Sequence, residues 1–234
     1  IVPLTGNQLL VSDVSDNGII SSFDAAQIAR YVTSLPPYGF TSTWKMLPVS
    51  RKYSSVTTNI TGEDYSALLM GEVSGSWTNT GARPVESGRW IVDSDLSGSM
   101  QLAVDGEGSS IIVDLPKAMA VSPEQEIVIP VNVHGVADKE IISYEFDLRY
   151  DPAVIQPQEI AVDVAGTASR GLSVVVNSAE PGLLRVAVFG AMPIEENGVL
   201  LNLTFIAVGA SGSVSPLTWE RIIFNEGEPW VTLT

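Results

Sequence analysis

Ile142-Ser143-Tyr144-Glu145-Phe146-Asp147-Leu148-Arg149-Tyr150 alternates without a break, with Tyr144, Phe146, Leu148 and Tyr150 at one parity and Glu145, Asp147 and Arg149 at the other. Successive side chains of a strand point to opposite faces, so this stretch reads as a strand with one apolar and one charged side. Upstream, Ile111–Val113 and Ile127–Val133 have strand character, and downstream so do Leu172–Val176, Leu183–Phe189, Val199–Val208, Leu217–Phe224 and Trp230–Leu233. Asp151-Pro152, Pro181-Gly182 and Asn197-Gly198 separate them as turns. About eight or nine short strands in roughly 125 residues predict a β-sandwich, so the fold class is mainly β.

The N-terminal part follows another pattern. In Asp13-Val14-Ser15-Asp16-Asn17-Gly18-Ile19-Ile20-Ser21-Ser22-Phe23-Asp24, oxygen-bearing side chains stand at the first, third, fifth, ninth and twelfth places, as Asp13, Ser15, Asn17, Ser21 and Asp24. Gly18 takes the sixth place, where a calcium loop turns sharply, and Ile19 the seventh, where only a backbone carbonyl is needed. Ser15 is a weaker ligand than Asp or Asn, and Asp24 is shorter than the usual Glu, so calcium affinity below that of a standard EF-hand is expected. Ala25, Ile28, Ala29 and Val32 follow as an apolar helical stripe that Asp24 is placed to cap, and Leu35-Pro36-Pro37 ends it. Loop and helix together make half an EF-hand.

Glu72, Ser74 and Ser76 repeat the first three ligand spacings, but Trp77 replaces the glycine and Arg83 the final carboxylate. Both a second calcium loop and a turn seating Trp77 fit that stretch. Residues 1–11 read as a short strand or turn, and the aromatic stretch from Tyr38 to Pro48 as irregular. A shift to Gly, Ser, Thr, Asn and Asp marks 81–108 as linker or loops, which leaves a calcium-binding unit at 1–80 and the sandwich at 109–234.

With 12 Lys+Arg against 27 Asp+Glu the net charge is −15, which argues against nucleic acid or an anionic membrane as partner. Cysteine is absent, which removes thiol catalysis, disulfides and Cys-based metal sites. No segment reads as a membrane span or signal peptide, and a chain starting at Ile1 is expected to be a piece of something larger. The single histidine, His134, sits beside Gly135 and reads as a turn residue. Glu195-Glu196 and Glu226/Glu228 lie on turns, where raising one carboxyl pKa for acid catalysis is difficult. No catalytic residue is assigned.

Residues Asp13–Pro36 resemble a dockerin repeat, the calcium loop and helix of bacterial cellulosome proteins, in which Asp at the twelfth place is usual. The Gly71–Trp77 stretch is similar to the second loop of split dockerins. Tyr144–Val154 and the turn Phe224-Asn225-Glu226-Gly227-Glu228-Pro229 resemble the cohesin domain, the jelly-roll receptor that dockerins bind. The resemblance implies a secreted or surface-displayed, calcium-dependent protein-interaction module. Ser22 and Phe23, at loop places ten and eleven, would face the partner, or Phe23 would be buried in the chain's own core. The partner would be a cohesin- or dockerin-bearing chain, a copy of this one, or the chain's own other module. An alternative is a carbohydrate-binding accessory region of a larger secreted polysaccharide-degrading enzyme or adhesin. Exposed, coplanar Tyr144, Tyr150, Trp219 or Trp230 would favour a polysaccharide partner.

Overall fold

The structure, a computed structural model, describes residues 3–53, 55–74 and 111–233. The sandwich contains β3 (Ile111–Asp114), β4 (Glu126–His134), β5 (Ile141–Arg149), β6 (Ile155–Asp163), β7 (Ser173–Asn177), β8 (Leu183–Ile194), β9 (Gly198–Ala207), β10 (Thr218–Phe224) and β11 (Val231–Leu233). One sheet has the order β10-β5-β8-β7 and the other β11-β3-β4-β9-β6. Non-sequential neighbours in both sheets are the mark of Greek-key connections. The closing strand β11 runs parallel to β3, pairing Val231 with Ile111.

Alternation on β5 is realised as the sequence requires. Tyr144, Phe146 and Leu148 are buried between the sheets with Val186 and Val188 of β8 and Leu201, Leu203 and Phe205 of β9. The Tyr144 hydroxyl shares a 2.7 Å hydrogen bond with Ser169, and burial pushes its pKa well up while that bond pulls it back. Glu145, Asp147 and Arg149 point outward and are held by Arg221, Arg185 and the pair Glu180 and Glu220. Exposed ion pairs such as those of Arg149 add little stability, so the sheet is held from its inner side.

Strand β6 has no counterpart among the strands expected from sequence. It is an edge strand, carries Pro157, and shifts register between Pro157 and Val162. An edge position tolerates proline and a bulge, which erase the alternation that would have marked it.

The N-terminal unit has α1 (Asn7–Ser12), α2 (Ser22–Val32), β1 (Trp44–Leu47) and β2 (Ser66–Leu69), with β1 and β2 antiparallel. Two expectations are corrected here. Residues 7–12 are helical rather than strand or turn, with Gly6 at the N-cap and the Thr5 amide donating to the Gln8 side-chain oxygen at 3.1 Å just ahead of the helix. The stretch around Trp44 forms a strand because residues 66–69 pair with it in register. Gly71 joins these pieces, with its amide on the Val11 carbonyl at 2.7 Å and φ +87°. A Cβ there would stand 2.9 Å from Thr41 Cγ2 and close to Ile28 and Val14. The linker expected at 81–108 lies outside the described residues.

Truncating Phe146 to Ala is expected to cost about 3–5 kcal/mol, measured by urea unfolding. Tyr144→Phe, which strands the buried Ser169 hydroxyl, should cost about 1–3 kcal/mol.

Candidate functional site: a loop and helix seated on the outer sheet face

Ser21 starts α2. Its hydroxyl accepts from the Phe23 amide at 3.1 Å, and the Asp24 carboxylate accepts from the Ser21 amide at 2.9 Å, forming a capping box. Asp24 therefore caps the helix, as its position in the sequence suggests. Its other oxygen accepts from the Ser15 amide at 3.0 Å, tying the start of the loop to the start of the helix.

Asp13 folds the remaining loop around its carboxylate. Oδ1 accepts from the Asn17 amide at 3.1 Å and the Ser15 hydroxyl at 3.3 Å, and Oδ2 from the Gly18 amide at 2.9 Å. Gly18 has φ +87°, the left-handed conformation a sharp turn at this place requires. The Asn17 side chain accepts from the Ile19 amide at 2.7 Å, and the Ile19 side chain points into solvent. Asp13, Ser15, Asn17, Ser21 and Asp24 thus form one hydrogen-bonded loop, although among the described residues no three His, Cys, Asp or Glu side chains are arranged as a metal cluster. At the second expected loop, Glu72 accepts from the Ser74 amide at 2.9 Å and from its hydroxyl, while Ser76 and Trp77 lie outside the described residues.

Helix α2 does not bury the stripe read from the sequence. Ser22, Asp24, Ala26, Gln27 and Arg30 are buried, whereas Val32 is 76% exposed. The cause is a second packing surface: α2 lies against β5 and β8. The Ser22 amide donates to Glu145 Oε1 at 2.8 Å, and Glu145 projects from the outer face of β5, so the helix sits on the outside of the four-stranded sheet. Ser143 shares that outer parity and is nevertheless fully buried. Phe23 is only half-buried. A carboxylate at the first helical amide is also favoured by the helix dipole.

The second grip comes from Glu226, in the turn after β10. Its Oε1 accepts from the Ser15 hydroxyl at 3.1 Å and the Ser21 hydroxyl at 3.2 Å. Burial raises its pKa and the nearby Asp24 charge adds to this, while hydrogen bonds from Ser15, Ser21 and Asn17 act in the opposite direction. Asn225 fixes the turn: its side-chain oxygen accepts from the Ile142 and Ser143 amides at 3.1 and 3.3 Å, and its own amide donates to the Ser143 carbonyl at 2.9 Å. Asn225 adopts φ +46°, which asparagine tolerates better than most residues.

This contact is polar and incompletely satisfied. Among the described residues, Ser22 Oγ, Gln27 Oε1 and Ser143 Oγ are buried with no hydrogen-bond partner. A buried polar atom left without a partner costs about 1–3 kcal/mol relative to a solvated one.

Sequence reasoning named Ser22 and missed both receiving carboxylates. Glu145 was readable as an outward residue of β5, whereas nothing in the sequence placed Glu226 beside a loop some two hundred residues away. The aromatic platform is not formed: Tyr144 and Tyr150 are buried, Trp219 packs edge-on against Phe146, and only Trp230 of the four is well exposed.

The chain is thus a two-sheet jelly-roll sandwich with a loop and helix seated on the outer face of one sheet. The sequence model of the cohesin domain family matches residues 111–228, and the chain belongs to that family. Cohesins are non-catalytic interaction modules. Among solved structures, the seventh ScaB type I cohesin from Pseudobacteroides cellulosolvens is similar at 22% identity, covering 48% of this chain and 75% of that one, TM-score 0.41. A type I cohesin–dockerin complex from Clostridium thermocellum has 20% identity, 50% and 87% coverage and TM-score 0.40. A cohesin from Clostridium acetobutylicum has 19%, 53% and 86%, with TM-score 0.44. No curated protein matches the chain.

Replacing Glu145 with Ala is expected to speed hydrogen exchange at the Ser22 amide by about tenfold or more, since a hydrogen bond to a charged group is worth roughly 1.5–3 kcal/mol. Exchange at the Phe146 and Leu148 amides in the sandwich core should not change.

Proposed function

We propose that the chain is a calcium-dependent protein-interaction module that works outside the cell, in the assembly or anchoring of secreted proteins. The outer face of β5 and β8 is the receiving surface, and the loop and helix at Asp13–Val32 form a dockerin-like ligand for it. The seating of α2 on that face, with its first amide on Glu145, carries this reading. An extracellular setting agrees with the cellulosomal proteins that cohesins belong to. Among the described residues, no helix is long and apolar enough to cross a membrane.

Calcium fits by the chemistry of the donors. The Asp13 and Asp24 carboxylates, the Asn17 amide oxygen, the Ser15 and Ser21 hydroxyls and the Ile19 carbonyl are all hard oxygens in loop order. A bound ion would supply positive charge that relieves the repulsion between the two carboxylates and so orders the loop. Asp24 transmits that order to the helix, because one carboxylate caps α2 and also holds the Ser15 amide. A second ion at Glu72 and Ser74 is not part of the proposal.

Calorimetric titration with calcium tests this. We expect one exothermic or endothermic site, weakened about tenfold or more in Asp13→Ala, a change of at least roughly 1.4 kcal/mol. Absence of any heat at millimolar calcium would overturn the calcium part of the reading.

A further inference from the structure

The face beneath α2 is filled, but nothing in the contact demands that the helix filling it belong to the same molecule. The clasp consists of the Ser22 amide on Glu145 and the Ser15 and Ser21 hydroxyls on Glu226, groups from opposite ends of the sequence. Residues 75–110 lie between the N-terminal unit and Ile111 in the chain. A segment of that length spans at most about 130 Å, so the covalent connection does not dictate which sandwich the unit reaches. Three buried polar atoms without partners, Ser22 Oγ, Gln27 Oε1 and Ser143 Oγ, lie on α2 and the outer face of β5, which suits a contact that opens.

We propose that the outer face of β5 and β8 is a receptor for the loop and helix of a second copy of this chain, and that the chain's own unit keeps this receptor closed in the resting monomer. The proposal rests on the reading of the face as a receiving surface but is independent of calcium. The occupant follows from the page: a second copy presents the same Ser15, Ser21 and Ser22 to the same Glu145 and Glu226. Competition is set by effective concentration. A unit joined by the chain to its own face has a higher effective concentration there than a separate copy has in dilute solution, so the internal contact prevails in dilute solution. Repulsion between copies of net charge −15 works in the same direction, and salt screens it. Exchange between copies therefore appears when the internal contact is blocked or when molecules are crowded. Because the helix of one copy and the face of another are different surfaces, the pairing closes into a reciprocal dimer or continues as a chain.

Two variants test this at physiological salt. Ser22→Glu keeps a residue that the first helical turn favours, but sets a second carboxylate against Glu145. Glu145→Lys leaves the helix intact and sets an ammonium against the Ser22 amide. Each alone should remain monomeric by light scattering, near 24.9 kDa. Mixed in equal amounts, the first supplies an intact face and the second an intact helix, and the mass should double. The double substitution in one chain should restore the internal pairing and the monomer. A mixture that stays monomeric, with the helical circular dichroism of both variants intact, overturns the proposal while leaving the calcium titration and the internal seating untouched. Should either variant lose its helix, isotope-filtered NMR on wild-type chains mixed at about millimolar concentration decides instead. Intermolecular contacts between α2 and β8 support exchange, and their absence refutes it.

Discussion

Strand β5 serves two surfaces at once. Tyr144, Phe146 and Leu148 enter the space between the sheets, and the residues between them present Ser143, Glu145 and Asp147 to the outside. Because the strand's period is two, neither set can move without the other. The burial that holds the sandwich together therefore also fixes where Glu145 meets the first amide of α2. A slip of one residue would turn the carboxylates into the core and the aromatic rings toward the helix. The position of the loop and helix is thus a consequence of the sandwich core.

The N-terminal unit meets that surface with a similar economy. One carboxylate, Asp24, closes the helix start through the Ser21 amide and the loop start through the Ser15 amide. Ser15 and Ser21 turn their hydroxyls to Glu226. Loop geometry, helix position and contact with the sandwich therefore share the same few atoms. A change in the loop is passed directly to the interface, without a chain of intermediaries.

The strands whose pattern could be read from the sequence are those where a single force acts. β4, β5, β8 and β9 bury one face in the sandwich core, and their alternation or apolar runs gave them away. β6 escaped because an edge position with Pro157 obeys a looser rule, and β1 because its partner lies some twenty residues further on. The α2 stripe was misjudged for a related reason. The sequence pattern assumed one packing surface, but the helix has its own small unit on one side and the sandwich on the other, so Ala26, Gln27 and Arg30 are buried while Val32 is left in solvent. The loop residues were visible because their spacing is local. The carboxylates that receive the loop were not, since a contact across two hundred residues leaves no periodic trace.

The turn that bears Glu226 is anchored by its neighbour. Asn225 spends its side-chain oxygen on two amides at the start of β5, and its own amide on the Ser143 carbonyl. The direction in which residue 226 points is consequently inherited from the sheet, like a peg set in a rigid board, and does not depend on which side chain occupies it. A lineage could exchange that one side chain for a basic or an apolar one and address a different ligand without rebuilding the backbone. In such a design, who binds can change quickly while where they bind stays put.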